Sequence, residues 1–392
     1  MLPHFLYICD MIIGFTIFFL LLLLSDVCLW LSAGTVWAAA LVSLPTLAIA
    51  GAFVAVRHGF YHNTFIRLFF ALVLLCAIPK LVYVVFSLLG LWQFGLTLAV
   101  LIILFVGYGF FFGWRRIVVR TASCESALLP REFDGYRIVQ LSDLHLGTFR
   151  RNPSFVRKMV RVVEDRHPDL IVFTGDLVNV SAEEVVPFLK DLKQLHAPDG
   201  IYSVMGNHDY CEYAMQSAHE RDTVAGRHHE GYAVRNQHVL RYLEEKIGWH
   251  LLLNDHVLIS RVRADGSFPE ATIALIGVEN ISRPPFPDYG DLRKAMEGLP
   301  DGMFKVLLSH DPSHWRRGVV RRTDIALTLS GHTHAGQVKI ARFSPAKWAY
   351  QEWGGKYTEG ASMLYVSLGL GGTMPFRFGA WPEVNVIELR RG

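Results

Sequence analysis

Ser142-Asp143-Leu144-His145, Thr174-Gly175-Asp176, Gly206-Asn207-His208-Asp209, Ser309-His310-Asp311 and Gly331-His332-Thr333-His334 are five short blocks, each directly after an apolar, strand-like run. Runs at 137–141, 170–174 and 201–205 alternate with helix-like segments at 153–167 and 182–195. The first segment carries Phe155, Met159, Val162 and Val163 on one face; the second is dented by Pro187. Strands alternating with helices predict an α/β sheet. Further strand-like runs at 273–278, 304–308, 325–329, 363–366 and 384–389 extend it. Open α/β sheets bind ligands beyond the carboxyl ends of their strands, which is where every block lies.

The blocks offer carboxylate oxygens, a neutral amide oxygen and imidazole nitrogens. That mixture suits a pair of divalent cations such as Mn²⁺, Fe or Zn²⁺. Two such cations clamp an in-line displacement at phosphorus and make hydroxide available at neutral pH. The expected chemistry is hydrolysis of a phosphate ester. A single Gly-Asp or His-Asp pair also serves as a turn or cap. Five of them, each at a strand end, point to one site.

Outside the blocks, charge is distributed unevenly. The 392 residues are 52% apolar and 19% charged. Residues 1–113 hold only Asp10, Asp26, Arg57, Arg67 and Lys80 as charged groups, and an ordinary globular composition follows. The net charge of +3, with no basic patch interleaved with aromatics, gives no case for nucleic acid. The five cysteines form no CxxC or CxxxC pair, so neither a zinc knuckle nor a disulfide framework is signalled. Cys211, near the third block, reads as a packed thiol.

Four apolar stretches, 5–31, 36–56, 68–89 and 96–112, approach the ~20 residues that span a bilayer as a helix. No Lys or Arg precedes Asp10, so the first reads as a retained helix rather than a signal peptide. Arg57 and Arg67 lie between the second and third stretches, and Arg115, Arg116 and Arg120 follow the fourth. Four spans put both basic segments and both termini on one side, which the positive-inside rule makes cytoplasmic. The expectation is a multi-pass protein of a bacterial inner membrane, in contact with membrane lipids, with its catalytic domain in the cytoplasm. Lys80, mid-span after Pro79, has Asp26 as a counter-charge; a structural pair or snorkelling accounts for it more readily than a substrate role. Residues 1–113 would then be the transmembrane region, 114–134 a connector and 135–392 the catalytic domain. An insertion at about 211–250 contains His219, His228, His229 and His238 without ligand spacing, and reads as a solvated cap.

The five blocks, in this order over 135–389, resemble those of the calcineurin-like metallophosphoesterase superfamily. The resemblance implies a four-layer α/β sandwich, here preceded by the all-α four-helix membrane region, with two divalent metal ions at the sheet edge. Asp143, His145, Asp176 and His334 would hold one ion, and Asp176, Asn207, His310 and His332 the other. Asp176 would bridge them as the catalytic carboxylate, and His208 would touch the substrate phosphate and assist the leaving group. Asp209 and Asp311, each beside a key histidine, would orient imidazoles or cap turns.

Ser330-Gly-His-Thr-His-Ala-Gly-Gln337, Gly369-Leu-Gly-Gly-Thr-Met-Pro-Phe-Arg-Phe378 and Pro382-Glu-Val384 resemble the membrane-associated bacterial subgroup related to the YkuE and YaeI phosphoesterases. Some relatives there hydrolyse the lipid A precursor UDP-2,3-diacylglucosamine, so a lipid-linked phosphate ester is the expected substrate. A soluble phosphate ester, or a non-catalytic sensor role, is the alternative. The subgroup commonly has Gly where this chain has Ala335. Arg377 is a candidate substrate contact, because its fork suits a second phosphate or a carboxylate; a structural ion pair serves as well. Trp348, Tyr350, Trp353 and Tyr357 suit an acyl or sugar pocket, a bilayer surface, or plain packing. Oligomeric state is left open.

Overall fold

The computed structural model describes residues 2–33, 35–57, 63–149, 152–211, 230–262, 270–284 and 286–392. The chain divides into a helical unit up to Phe111 and an α/β unit from Phe112 onward. The expected histidines His219, His228 and His229 lie outside the described residues.

In the helical unit, α1 (Leu2–Ala33) is followed by α2 (Val36–Arg57), α3 (Asn63–Leu72), α4 (Ile78–Leu88) and α5 (Trp92–Phe111). Between α3 and α4 the helix widens into a π turn over Val73–Ala77. Pro79, at the start of α4, has no N–H to give to a regular ladder, a common cause of such widening. Four bilayer-length stretches were expected. Among the described residues, two are long and apolar enough to cross a membrane, Arg67–Leu88 and Trp92–Arg115; the apolar parts of α1 and α2, Phe15–Leu31 and Ala40–Ala55, are shorter. Lys80 does meet Asp26: Nζ lies 2.5 Å from Oδ1 and 2.7 Å from Thr46 Oγ1. This small polar knot ties α4 to α1 and α2, so each charge has a partner where solvent is scarce.

The α/β unit carries two six-stranded mixed sheets. The first contains β1 (Val118–Ser126), β2 (Arg137–Leu141), β3 (Leu170–Phe173), β4 (Ile201–Ser203), β5 (Trp249–Leu251) and β12 (Glu383–Arg391), in the order β1-β12-β2-β3-β4-β5. The second contains β6 (Asp255–Arg261), β7 (Ala271–Gly277), β8 (Lys305–Leu308), β9 (Leu327–Ser330), β10 (Gly355–Glu359) and β11 (Ser362–Val366), in the order β10-β11-β9-β8-β7-β6. Strands β2 to β5 are parallel, as are β7, β8, β9 and β11. Strand β3 is buried on both faces, which is why it reads as an unbroken apolar run; β2 is buried from Ile138 on, with Gln140 its one buried polar side chain.

Alternation along these strands builds the layers. Ile138, Leu170 and Val172 point between the sheets, against Ile273, Leu275, Val306, Leu308, Leu327 and Leu329. Val139, Ile171 and Phe173 point the other way, onto Met159 and Val163 of α6 (Pro153–Glu164) and Leu240 and Leu243 of α8 (Glu230–Ile247). On the far face of the second sheet, Ile276, Leu307 and Leu364 pack with Trp315 and with Ala295 of α9 (Leu292–Ala295). The order is helix, sheet, sheet, helix.

Two expectations change. Residues 118–126, taken for connector, form β1, which pairs in parallel with β12 from Val118 opposite Glu383 to Ser126 opposite Arg391. The helix expected at 182–195 is a 3-10 segment, Ala182–Phe188, running into the short α7 (Leu189–Leu192). Pro187 accounts for this, since it removes a donor and crowds the carbonyl four residues back.

Candidate metal centre

The parallel strands of both sheets deliver the five blocks to one edge. The two sheets are stitched there by Gln140, whose Nε2 donates to Ser330 O at 2.8 Å and to Thr174 Oγ1 at 3.1 Å. Asp143 and His145 leave β2, Asp176 leaves β3, and Asn207 and His208 follow β4. From the second sheet come His310 after β8, and His332 and His334 after β9. Two glycines permit the approach. A Cβ at Gly331 would overlap Ser142 Oγ and Asp143 Oδ2, and one at Gly206 would overlap Asp176 Oδ1.

The side chains fall into two groups that share Asp176: Asp143, His145, Asp176 and His334, and Asp176, His310 and His332. In the first, His145 Nε2 lies 3.3 Å from His334 Nε2 and 3.6 Å from Asp176 Oδ2, and His334 Nε2 lies 3.4 Å from Asp143 Oδ1. In the second, His310 Nε2 lies 3.2 Å from Asp176 Oδ2, from Asn207 Oδ1 and from His332 Nδ1. Ligands about 2.0–2.2 Å from a common cation stand roughly 3.0–3.5 Å from one another. The spacings are therefore those of coordination edges, and the mix of carboxylate, amide and imidazole suits divalent cations.

The supporting contacts orient the rings. His310 Nδ1 donates to Thr174 O at 2.7 Å, which aims Nε2 toward the cluster. His208 Nδ1 donates to Asn179 O at 2.8 Å, and its backbone N–H donates to Asp176 Oδ1 at 2.8 Å. His332 Nε2 meets the Tyr350 hydroxyl at 2.7 Å and Phe286 edge to face at 5.0 Å. Phe286 and Asn179 come from loops without a motif, so nothing in the sequence pointed to their contacts, whereas Tyr350 belongs to the aromatic run already singled out.

Electrostatically the cluster is poised for cations. Burial holds the His145 ring down at about 3 and that of His332 at about 4. Burial, then Arg377 and His145, keep His334 well below its ordinary range. These rings present lone pairs rather than charges. His310 is the exception: burial works against its charge, but Asp176 outweighs it and lifts the ring to about 10. Asp176 is correspondingly held well below the usual carboxylate range.

Arg377 departs from its expected role as a substrate contact, while Asp209 and Asp311 take the capping alternative. Arg377 is 1% exposed and does not face the cleft. Its fork donates to the carbonyls of Leu368, Gly371 and Ala380, and Nη2 lies 3.0 Å from His334 Nδ1. The guanidinium is a brace behind His334, since its donors are consumed by backbone carbonyls. Asp209 orients no imidazole; it accepts the backbone N–H groups of Asp176, Gly206 and Val178 at 2.7, 2.8 and 3.1 Å. Asp311 caps Ser313 N at 2.8 Å and also faces His332 Nε2 at 3.9 Å. Cys211 is a packed thiol, buried and contacted by Asn236 Nδ2 at 2.8 Å.

A cavity of about 320 Å³ opens beside His332, lined among others by Arg283, Phe286, Asp311, Arg316, Arg317 and Tyr350. Arg316 is held by Glu352 and Glu359, and Arg317 by Ser313 and the Ile281 carbonyl. Arg283 is solvent-exposed at the rim.

Residues 136–336 match the family model described as calcineurin-like phosphoesterase. The chain is 31% identical over 298 residues to the uncharacterized metallophosphoesterase YkuE of Bacillus subtilis, covering 72% of this chain and 89% of that protein. It is 27% identical over 290 residues to the UDP-2,3-diacylglucosamine pyrophosphatase LpxG of Chlamydia trachomatis, covering 66% and 86%. A transmembrane protein with metallophosphoesterase domain from Danio rerio is 31% identical over 217 residues, 54% of this chain and 43% of that protein. The chain belongs to the calcineurin-like phosphoesterase family and is a phosphoester hydrolase of the metallophosphoesterase type.

Proposed function

We propose that the protein is a membrane-anchored hydrolase of a phosphodiester or pyrophosphate carried on a lipid, with UDP-2,3-diacylglucosamine as the leading candidate. The observation that carries the metal-dependent part is the shared Asp176 Oδ2, which lies at 3.6 Å from His145 Nε2 and 3.2 Å from His310 Nε2. Asp143, His145, Asp176 and His334 would hold one divalent cation, and Asp176, Asn207, His310 and His332 a second, drawn from Mn, Fe or Zn. When bound, such cations polarise phosphoryl oxygens and lower the pKa of water.

The chain's own residues supply the rest. His208, fixed by Asn179 O, presents its other ring nitrogen to a phosphoryl oxygen or to the leaving oxygen as it gains charge. Arg283 and Arg317, with Tyr350 and Phe286, give the adjoining cavity a cationic, aromatic lining fit for a second phosphate and its attached ring. A pyrophosphate linkage uses such a pocket and a simple monoester does not. The lipid part is supported by the two bilayer-length helices and by the likeness to the chlamydial UDP-2,3-diacylglucosamine pyrophosphatase. The arginines flanking the helices favour a catalytic unit in the cytoplasm of a bacterial cell, a reading that a reporter fused after Gly392 and scoring as periplasmic would overturn.

The test is hydrolysis by purified, Mn²⁺-loaded protein of UDP-2,3-diacylglucosamine, other lipid-linked phosphates and a chromogenic phosphodiester. Asp176→Asn should abolish all turnover. Arg283→Ala should raise KM for the pyrophosphate substrate by about tenfold or more, the scale of one lost charge-assisted contact, and leave the chromogenic ester unaffected. Turnover of soluble esters alone would leave the enzyme class standing and remove the lipid. No Asp176-dependent turnover of anything would leave a binding or sensor role.

A further inference from the structure

We propose that the excursion between the last motif block and β10, residues 338–353, is a docking element that rests on the surface of an anionic bilayer. Ile340, Phe343 and Trp348 expose 52%, 45% and 80% of their surface, and Phe343 and Trp348 meet edge to face at 5.6 Å. Grouped apolar side chains left in water mark an interaction site. Arg342 and Lys347 stand exposed beside them, with Lys339 half-buried at the base. The first acidic residue of the excursion, Glu352, is buried and bound to Arg316 at 2.5 Å. Aromatic rings flanked by basic groups, without competing acid, match the headgroup layer of a membrane that carries anionic lipid.

The tip is braced, not floppy. Ile340 and Phe343 pair with each other, while Ser344 Oγ donates to Ala335 O at 2.6 Å and accepts from Ala346 N at 3.1 Å. An element built this way presents its apolar side chains without first paying to order them.

The choice of a bilayer over a protein partner comes from what the base of the excursion touches. Val338 bridges Phe378, and Lys339 N donates to Phe378 O at 2.8 Å. Three residues on, the Trp381 ring carries the Arg116 guanidinium on its face at 5.1 Å. Gly113 sits so close to the Arg377 carbonyl that a Cβ there would overlap it. Gly113 and Arg116 are where the chain enters the α/β unit from the apolar stretch Trp92–Arg115. The basic and aromatic tip is thus rooted in the same short segment that receives the chain from a membrane-length helix. It also returns to the cluster, since Tyr350 meets His332. The docking role requires a bilayer and does not require that the substrate be a lipid.

Full-length protein is reconstituted into vesicles of phosphatidylcholine with phosphatidylglycerol, and into phosphatidylcholine alone. Emission of Trp348 is obtained by subtracting the Trp348→Phe spectrum, and is titrated with lipids brominated on the acyl chain. Blue-shifted emission quenched by brominated lipid in the anionic vesicles is expected, with loss of quenching in Arg342→Glu/Lys347→Glu. Red, unquenched Trp348 emission in both membranes overturns the proposal. So does protection that follows protein-to-lipid ratio and ignores lipid charge, which would assign the patch to a second copy of the chain. Unchanged thermal melting of the variants in detergent guards against misfolding. No catalytic assay enters, so the substrate reading can fail without touching this one.

Discussion

At the scale of single residues, the site is built under strain. Asp143, His145, Asp176, His332 and His334 all adopt left-handed backbone, with φ between 48° and 72°. Such conformations cost about 1–3 kcal/mol each for residues other than glycine, and persist where neighbours over-determine them. Here Asp143 N donates to Gly175 O at 2.9 Å, His145 N to Asp176 O at 3.1 Å, and His332 N to the Asp143 carboxylate at 3.1 Å. Ala335, where glycine is usual in the subgroup, also sits at φ 52° and keeps its methyl in a small core with Leu368 and Ala380. The blocks announced which residues the structure gathers into one cluster able to hold cations, because carboxylate and imidazole at strand ends have few other uses in such number. They did not announce side-chain direction, and Arg377 shows the cost. Arg377→Lys should keep the charge but lose the fork that ties the four carbonyls of His334, Leu368, Gly371 and Ala380, lowering stability by about 1–3 kcal/mol. Metal content should fall with it, while KM measured at saturating metal stays unchanged. A raised KM at unchanged melting temperature would put Arg377 in contact with substrate after all.

At the scale of elements, legibility followed burial. Strands β3, β8 and β9 are short and wholly buried, β2 is buried from Ile138 on, and each read as a strand-like run within a residue or two of its observed bounds. Strand β1 alternates half-buried and exposed positions and includes Arg120, Thr121, Ser123 and Glu125, so nothing marked it as strand. Strand β5 has three residues, and β10 is a polar sheet edge. Helix α8 was hidden within an apparent insertion, yet it buries Glu244 against Ser203 Oγ behind β4. Burial, opposed by the Ser203 hydroxyl and aided by Asp209, raises that carboxyl from 4.5 to about 8. The folded state therefore keeps a proton that the unfolded chain gives up above its ordinary value. Stability contributed this way is present below pH 4.5 and is lost as pH rises toward 8, by up to about 1.4 kcal/mol per pH unit. Glu244→Gln should flatten the decline of melting temperature between pH 5 and 8 in detergent. Equal slopes for the two proteins would mean that Glu244 is ionised in the fold.

For the molecule as a whole, the cluster is a joint between sheets. Its side chains come from both, and across it Asp176 and His310 face each other as an ion pair. Cations bound only by the folded state should stabilise it by about 2.7 kcal/mol per site at a hundredfold excess over Kd. Chelation should lower the melting temperature of wild type and leave Asp176→Asn unmoved; equal shifts in both would place the stabilising metal elsewhere. The parallel pairing of β1 with β12 has a consequence of another kind, in time. A ribosome delivers Val118–Ser126 early, directly after the last apolar helix, and delivers its partner Glu383–Arg391 only after all the intervening strands. At about 5–20 residues per second the wait is on the order of tens of seconds. Through that interval β1 is an unpaired strand, and the first sheet lacks the member that lies between β1 and β2. A nascent chain arrested before Glu383 should stay open to protease across 118–126 however long it is held, and should close only when β12 emerges.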